Sequence, residues 1–166
     1  MSIVRSTRKK MTAPVRTCVG ASAGGHMSQL VKLMDNSASW PITQLCWITT
    51  RREIVPPVLW HGAMEVVGEC NRSSPARCLG VGLRALRLVW RYRPELVVTT
   101  GALPLALVCI WAKLMGARIV WIDSIANMSN LSMSGRAMYR VADLFVTQWP
   151  EVAQRFPRAE YLGQLL

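Results

Sequence analysis

The sequence predicts a doubly wound α/β domain: a mostly parallel sheet with helices on both faces. Short, nearly all-apolar runs bounded by Gly, Pro, Asn or Ser alternate with longer amphipathic runs, as strands buried on both faces and their crossover helices require. Two of the apolar runs also pass straight into small-residue glycine turns that open a helix.

Residues 1–14 read as a mobile basic arm, with Arg5, Arg8, Lys9 and Lys10, no acid, and Pro14 at its end. Residues 15–166 read as one domain. Val15–Ala21 is the first strand and His26–Asn36 the first helix, amphipathic through Met27–Met34. Gln44–Thr49 and Met64–Val67 follow as strands. Ala76–Tyr92 is a helix with two rows: Arg77, Arg84, Arg87 and Arg91 along one face, Leu79, Leu83, Leu86 and Trp90 beside it. Leu96–Thr100 is a strand, and Pro104–Met115 a helix with Pro in its first turn and Leu105, Leu107, Ile110 and Leu114 expected in the core. Ile119–Asp123, a helix at Ser134–Val141 and a strand at Leu144–Gln148 complete the alternation.

Composition narrows the class. Hydrophobic residues make up 51% of the 166 and charged residues 17%, which supplies a core and excludes a disordered chain. Five cysteines, odd in number and without a CxxC pair, read as reduced thiols. The longest apolar stretch, Ala102–Ala112, contains Pro104 and falls short of the ~18–20 residues a bilayer span needs. The basic N-terminus lacks a signal peptide's apolar region, so the expectation is a cytoplasmic protein with no transmembrane span. The net charge of +11 suits an anionic surface. Nucleic acid would suit it too, but no nucleic-acid-binding motif is present and the tryptophans sit in apolar runs rather than on a stacking platform. The arginine helix and the arm therefore point to an anionic membrane, with Arg77, Arg84, Arg87, Trp90 and Arg91 as the contacts. A solvated basic face on a core-packed helix gives the same pattern.

In doubly wound sheets ligands bind beyond the carboxyl ends of the strands, and three loops there stand out. Gly20-Ala21-Ser22-Ala23-Gly24-Gly25-His26 opens a helix, and its paired glycines and free N–H groups suit a phosphate. It is neither a Walker loop nor GxGxxG, and a tight turn that binds nothing would look alike. His26 stands at the positive end of the helix dipole, which favours a neutral, proton-accepting imidazole; a structural histidine is the alternative. Thr100-Gly101-Ala102-Leu103-Pro104 opens a second helix onto the same cleft. Asp123, Ser124 and Asn127 follow strand five, as groups that suit sugar hydroxyls or cap a turn. No set of metal ligands at zinc spacing and no paired-Asp motif is present, so no metal is expected.

Gly24-Gly25-His26, Thr99-Thr100-Gly101-Ala102, Trp121-Ile122-Asp123-Ser124-Ile125-Ala126-Asn127, Leu131-Ser132-Met133-Ser134-Gly135-Arg136, Ala142-Asp143-Leu144-Phe145-Val146-Thr147-Gln148-Trp149-Pro150 and Tyr161-Leu162-Gly163 together cover most of the chain. In combination they resemble the membrane-associated subunit of split glycosyltransferases. This is the family of the anchoring subunit of the two-part N-acetylglucosaminyltransferase of dolichol-linked oligosaccharide synthesis, with bacterial counterparts in capsule and exopolysaccharide assembly. The resemblance implies a Rossmann-like domain equivalent to the N-terminal, acceptor-side half of a GT-B glycosyltransferase, active only with a catalytic partner chain that brings the UDP-sugar. It implies a polyprenyl-diphosphate-linked sugar as acceptor, with Ser22, Gly24, Gly25, Thr100, Gly101, Asp123, Ser124 and Asn127 around it and His26 activating or orienting its hydroxyl. No cofactor is implied on this chain. Many relatives have Glu where Asp123 stands, so its side chain reaches less far. The eukaryotic subunit begins with a membrane-spanning helix absent from this sequence, which points to a peripheral bacterial protein at the cytoplasmic membrane face. The segment Tyr161–Leu166 is the expected edge for the partner. A reading of another class remains beside this one: a non-catalytic nucleotide- or phosphate-binding α/β module that regulates another enzyme.

Overall fold

The computed structural model describes residues 13–52 and 62–165, so most of the expected basic arm lies outside the described residues. Within them the chain runs β1 (Val15–Ala21), α1 (Gly25–Asp35), β2 (Ile42–Thr49), β3 (Ala63–Val66), α2 (Pro75–Tyr92), β4 (Leu96–Thr99), α3 (Leu103–Leu114), β5 (Arg118–Ile122), α4 (Met133–Met138), β6 (Leu144–Thr147), α5 (Pro150–Arg155) and β7 (Ala159–Tyr161). The strands form one sheet in the order β3-β2-β1-β4-β5-β6-β7, with every neighbouring pair parallel. The chain starts in the middle, winds outward to β3, returns through α2 to β4 and winds outward the other way. The doubly wound expectation holds, and the order reverses between β1 and β4.

Strand alternation divides the core into two layers. Cys18, Val97, Trp121 and Phe145 face one side with Val81, Ala85 and Val89 of α2 and Leu105, Val108 and Cys109 of α3. Their chain neighbours Val19, Val98, Ile122 and Val146 face the other, with Met27 and Leu30 of α1. The pleat explains why these strands read as continuous apolar runs. Gly20 marks a close approach of β1 to the core: a Cβ there would lie 2.7 Å from Leu105 Cδ1 and 3.1 Å from Ile48 Cβ. The five cysteines are free. Hydrogen bonding to Cys18 and then burial push the Cys46 thiol up.

The second layer is thinner. Among the described residues α1 is the helix that packs on it, and over β4, β5 and β6 residues 162–165 roof an apolar cavity of about 290 Å³. Helices therefore do not cover both faces evenly. Two further details differ from the expectation. The six-residue α5 and three-residue β7 are too short to show a period in the sequence. Ile110 and Leu114, expected in the core, are 37% and 72% exposed, because α3 meets the sheet through Leu105, Val108, Cys109 and Ala112. On α2 the inward stripe is Val81, Ala85, Leu88 and Val89, which turns Leu79 and Trp90 outward at 67% and 62% exposure.

One side chain pins the α3–β5 connection to β6. Asp143 accepts from the Ile119 amide at 2.7 Å and from the Lys113 ammonium. Burial alone would raise its carboxyl, but these two hydrogen bonds outweigh that and hold it below 3.8. A depressed folded value contributes stability above the unfolded carboxylate range that disappears as pH falls through the folded value. Asp143→Asn is therefore expected to lower stability by about 1 kcal/mol at pH 7, modest because the pair is part-exposed. In urea titrations the gap between wild type and variant closes as pH drops below about 4.

Candidate functional site

The order reversal sends α1 and α3 to opposite faces and leaves a crevice between the loops after β1 and β4. The first loop is tied to β2, since the Ala23 amide donates to Thr50 Oγ1 at 3.1 Å. Gly24 has φ 92°, which glycine adopts freely, and its carbonyl takes the Met27 amide at 2.9 Å to start α1. The amides of Gly25 and His26, in the first helical turn, have no helical acceptor and open onto the crevice. A Cβ at Gly24 or Gly25 would meet nothing within 4 Å. Gly25 needs neither a positive φ nor a close approach, so space in front of it is what its missing side chain provides.

The second loop holds the first in place. The Thr100 amide donates to the Gly20 carbonyl at 3.3 Å, and its hydroxyl donates to the His26 carbonyl at 2.6 Å. Gly101 has φ 110°, and the His26 ring lies against it: a Cβ there would stand 3.4 Å from Cε1 and 3.6 Å from both Nδ1 and Trp121 Cζ2. Ala102 follows at φ 81°, ψ 153°, a region an L side chain enters at a cost of about 1–3 kcal/mol. An alanine between Gly101 and Leu103 carries no local signal of that strain. His26 is half-buried, and its Nδ1 is buried without a hydrogen-bond partner among the described residues, so Nε2 is the nitrogen a ligand can reach.

The third loop is braced from within. Asp123 is 3% exposed; its carboxylate accepts from the Ser132 amide at 2.9 Å and the Ser132 hydroxyl at 2.6 Å. Ser132 Oγ in turn accepts from the Gly135 amide at 2.7 Å and caps α4. A Cβ on Gly135 would sit 2.6 Å from Asp123 Oδ1, which explains the Ser132-Met133-Ser134-Gly135 signature. Ser124 Oγ takes the Ala126 amide and its carbonyl takes the Asn127 amide, while Trp149 Nε1 donates to the Ile125 carbonyl at 2.6 Å. Thr100 and Asp123, expected among the ligand groups, thus have internal partners and position the loops. Gly24, Gly25, His26 and Gly101 converge on the crevice.

Two features escaped the sequence reading. Gln148 donates to Gln29 Oε1 at 2.8 Å and to the Asp123 carbonyl at 3.0 Å, and accepts the Leu165 amide at 3.0 Å. One buried amide thereby joins α1, β5 and the C-terminal segment. The second is a pocket of about 240 Å³ beside the first loop, lined by Ser22, Thr50, Glu69, Cys70, Asn71, Arg77 and the start of α3. Burial and then Cys78 push the Cys70 thiol up to about 11, so it stays protonated at neutral pH. Arg77, expected on a membrane, lines this pocket because α2 begins at the carboxyl edge of the sheet. The rest of the row is not uniformly free either: Arg84 donates to the Val67 carbonyl at 3.0 Å and Arg91 pairs with Glu65 at 3.5 Å. Trp90 is exposed, with the Arg93 guanidinium over its ring at 4.2 Å.

The family described as "Oligosaccharide biosynthesis protein Alg14 like" matches residues 63–165, from β3 to the end of the described chain. The chain belongs to the Alg14 family. A relative named "UDP-N-acetylglucosamine transferase subunit ALG14" from Yarrowia lipolytica is 34% identical over 183 residues, covering 96% of this chain and 84% of that one. The Homo sapiens protein of the same name is 33% identical over 85 residues, 48% of this chain and 39% of that one. Among solved structures the fold is similar to Acinetobacter baumannii MurG, with TM-score 0.65 and 13% identity over 84% of this chain. That match spans 43% of MurG, so the Alg14-family chain corresponds in fold to under half of it. The family match takes in Gly101, Asp123 and Gln148; the first loop and His26 lie before it.

Gly25→Ala separates a ligand cradle from a simple turn. It is expected to leave thermal stability unchanged or raise it by up to about 1 kcal/mol, since alanine favours a helix. Phosphate binding, read by titration calorimetry, is expected to weaken at least tenfold, and unchanged binding would show that nothing occupies the space.

Proposed function

We propose that this chain is the acceptor-side subunit of a two-chain glycosyltransferase in lipid-linked oligosaccharide synthesis. It binds a polyprenyl-diphosphate-linked sugar at the cytoplasmic membrane face and recruits a catalytic partner that brings the UDP-sugar. The observation that carries this reading is His26, held between two glycine loops at the point where the strand order reverses, with Nδ1 buried and Nε2 left for a ligand. The names of its relatives, transferase subunits, and a fold spanning less than half of MurG support a second chain.

The acceptor hydroxyl attacks the anomeric carbon of the donor, the bond from that carbon to the UDP oxygen breaks, and the hydroxyl proton passes to His26 Nε2. The Thr100 hydrogen bond fixes the backbone that carries the ring, and the packing against Gly101 sets its plane. Amides at the start of α1 face the anionic part of the acceptor.

Two apolar surfaces suit the two neighbours. Leu79, Leu83 and Trp90 project from α2 beside Arg87, an apolar row with positive charge next to it that suits an anionic bilayer surface. No helix among the described residues is long and apolar enough to cross a membrane. The apolar trough under residues 162–165, on the sheet face that helices leave uncovered, suits the donor-side partner.

The deciding experiment is transfer from a UDP-sugar to a polyprenyl-diphosphate-linked sugar by this chain alone and with its partner; activity only in the pair is expected. Transfer by neither would leave a phosphate-binding regulatory module. His26→Ala is expected to reduce turnover of the pair by about 10²–10⁴-fold while the two chains still co-elute, and retained turnover would remove His26 as the base. Leu83→Glu combined with Trp90→Glu is expected to abolish co-sedimentation with anionic vesicles and leave thermal stability within about 0.5 kcal/mol, as for exposed sites.

A further inference from the structure

The pocket beside the first glycine loop holds an uncommitted set of hydrogen-bond donors. Arg77 is exposed and makes no ion pair or hydrogen bond among the described residues. Thr50 is 3% exposed; its oxygen accepts the Ala23 amide, and its hydroxyl proton has no acceptor among the described residues. Ser22 donates to nothing described, and Asn71 accepts the Ser73 amide through Oδ1, leaving its NH₂ group open. The carboxylate on the rim, Glu69, is already paired with Arg51 at 2.7 Å. The start of α3 forms the opposite wall and adds the positive end of its dipole. A buried hydroxyl proton without an acceptor is costly, and a ring of donors around one cation is satisfied by an acceptor-rich anion. At about 240 Å³ the space far exceeds the ~10–15 Å³ that one water needs.

We infer that this pocket binds a diphosphate and that Arg77 is the side chain that pairs with it. The inference rests on the acceptor-side reading above, and it identifies the diphosphate as that of the lipid-linked acceptor. The pocket meets the two loops of the His26 site at Ser22 and Ala102, with Thr50, Glu69 and Asn71 on its other walls, so a bound diphosphate lies on the β2 and β3 side of the histidine. Arg77 is there because α2 begins at the carboxyl edge of the sheet; Arg87, three turns along the same helix, lies along β3 with Glu65 and Val66.

The test starts with the chain alone and inorganic pyrophosphate, followed by titration calorimetry. Wild type is expected to bind it, Arg77→Gln at least tenfold more weakly, Arg77→Lys with partial recovery, and Arg87→Gln like wild type, all with unchanged melting temperature. No binding by wild type, or equal binding by Arg77→Gln, overturns the inference. In the reconstituted pair Arg77→Gln is expected to raise KM for the polyprenyl-diphosphate acceptor at least tenfold, with KM for the UDP-sugar and kcat within twofold. A shift in KM for the UDP-sugar instead overturns the assignment to the acceptor. Should the pair transfer no sugar to that acceptor, the acceptor-side reading fails while pyrophosphate binding still judges the pocket.

Discussion

A hydrogen bond from the Thr100 hydroxyl to the His26 carbonyl bridges two loops that the topology drives apart. β1 and β4 are adjacent and parallel, yet the helices that follow them pack on opposite faces. The crevice between their carboxyl ends is a consequence of that divergence and would be wide and loose without a tie. Thr100 supplies it while fully buried, and the Gly101 backbone then comes close enough to pack on the histidine ring. The ring's seat depends on this contact: the φ of 110° at Gly101 strains any L side chain, and a backbone shift that relieved the strain would move the surface on which the His26 ring packs.

The same economy governs the third loop. Asp123 has the position of a ligand, at the end of β5, and the behaviour of a strut: both its oxygens hold Ser132, and Gly135 is small because the carboxylate passes so near. A longer acidic side chain at 123 would not fit this clasp in the same way, which gives the aspartate a structural reason. Gln148 continues the bracing from the other side, joining the carbonyl of Asp123 to Gln29 on the helix that carries His26 and to the backbone of Leu165. The C-terminal segment is thus hydrogen-bonded into the polar network beneath the site while its apolar side chains roof the open sheet face.

That open face and the solvent-facing row of α2 have a common origin. A sheet of this kind needs two covered faces, but the described helices concentrate on one, and the outermost of them turns apolar side chains away from the core. Apolar residues left outside in this number are what a chain keeps when other surfaces complete it. On the proposed reading, these two apolar surfaces, one on α2 and one under residues 162–165, meet the bilayer and the second chain.

The sequence by itself determined the doubly wound sheet, the order of its main elements and the three strand-exit loops, because these rest on local signals: apolar runs, helical periodicity and glycines at turns. His26, Gly24, Gly25 and Gly101 were legible for the same reason. The short α5 and β7 were not, since six and three residues carry no period. Nor were the roles of Thr100, Asp123 and Arg77: a hydroxyl, a carboxylate or a guanidinium has the same chemistry whether it meets a ligand or a neighbour. Which it meets was decided by the tertiary structure, by Ser132 arriving over Asp123, His26 over Thr100, and the start of α2 beside Thr50. Residues far apart in the chain become partners only when the sheet order places them together, and a one-dimensional pattern does not contain that distance.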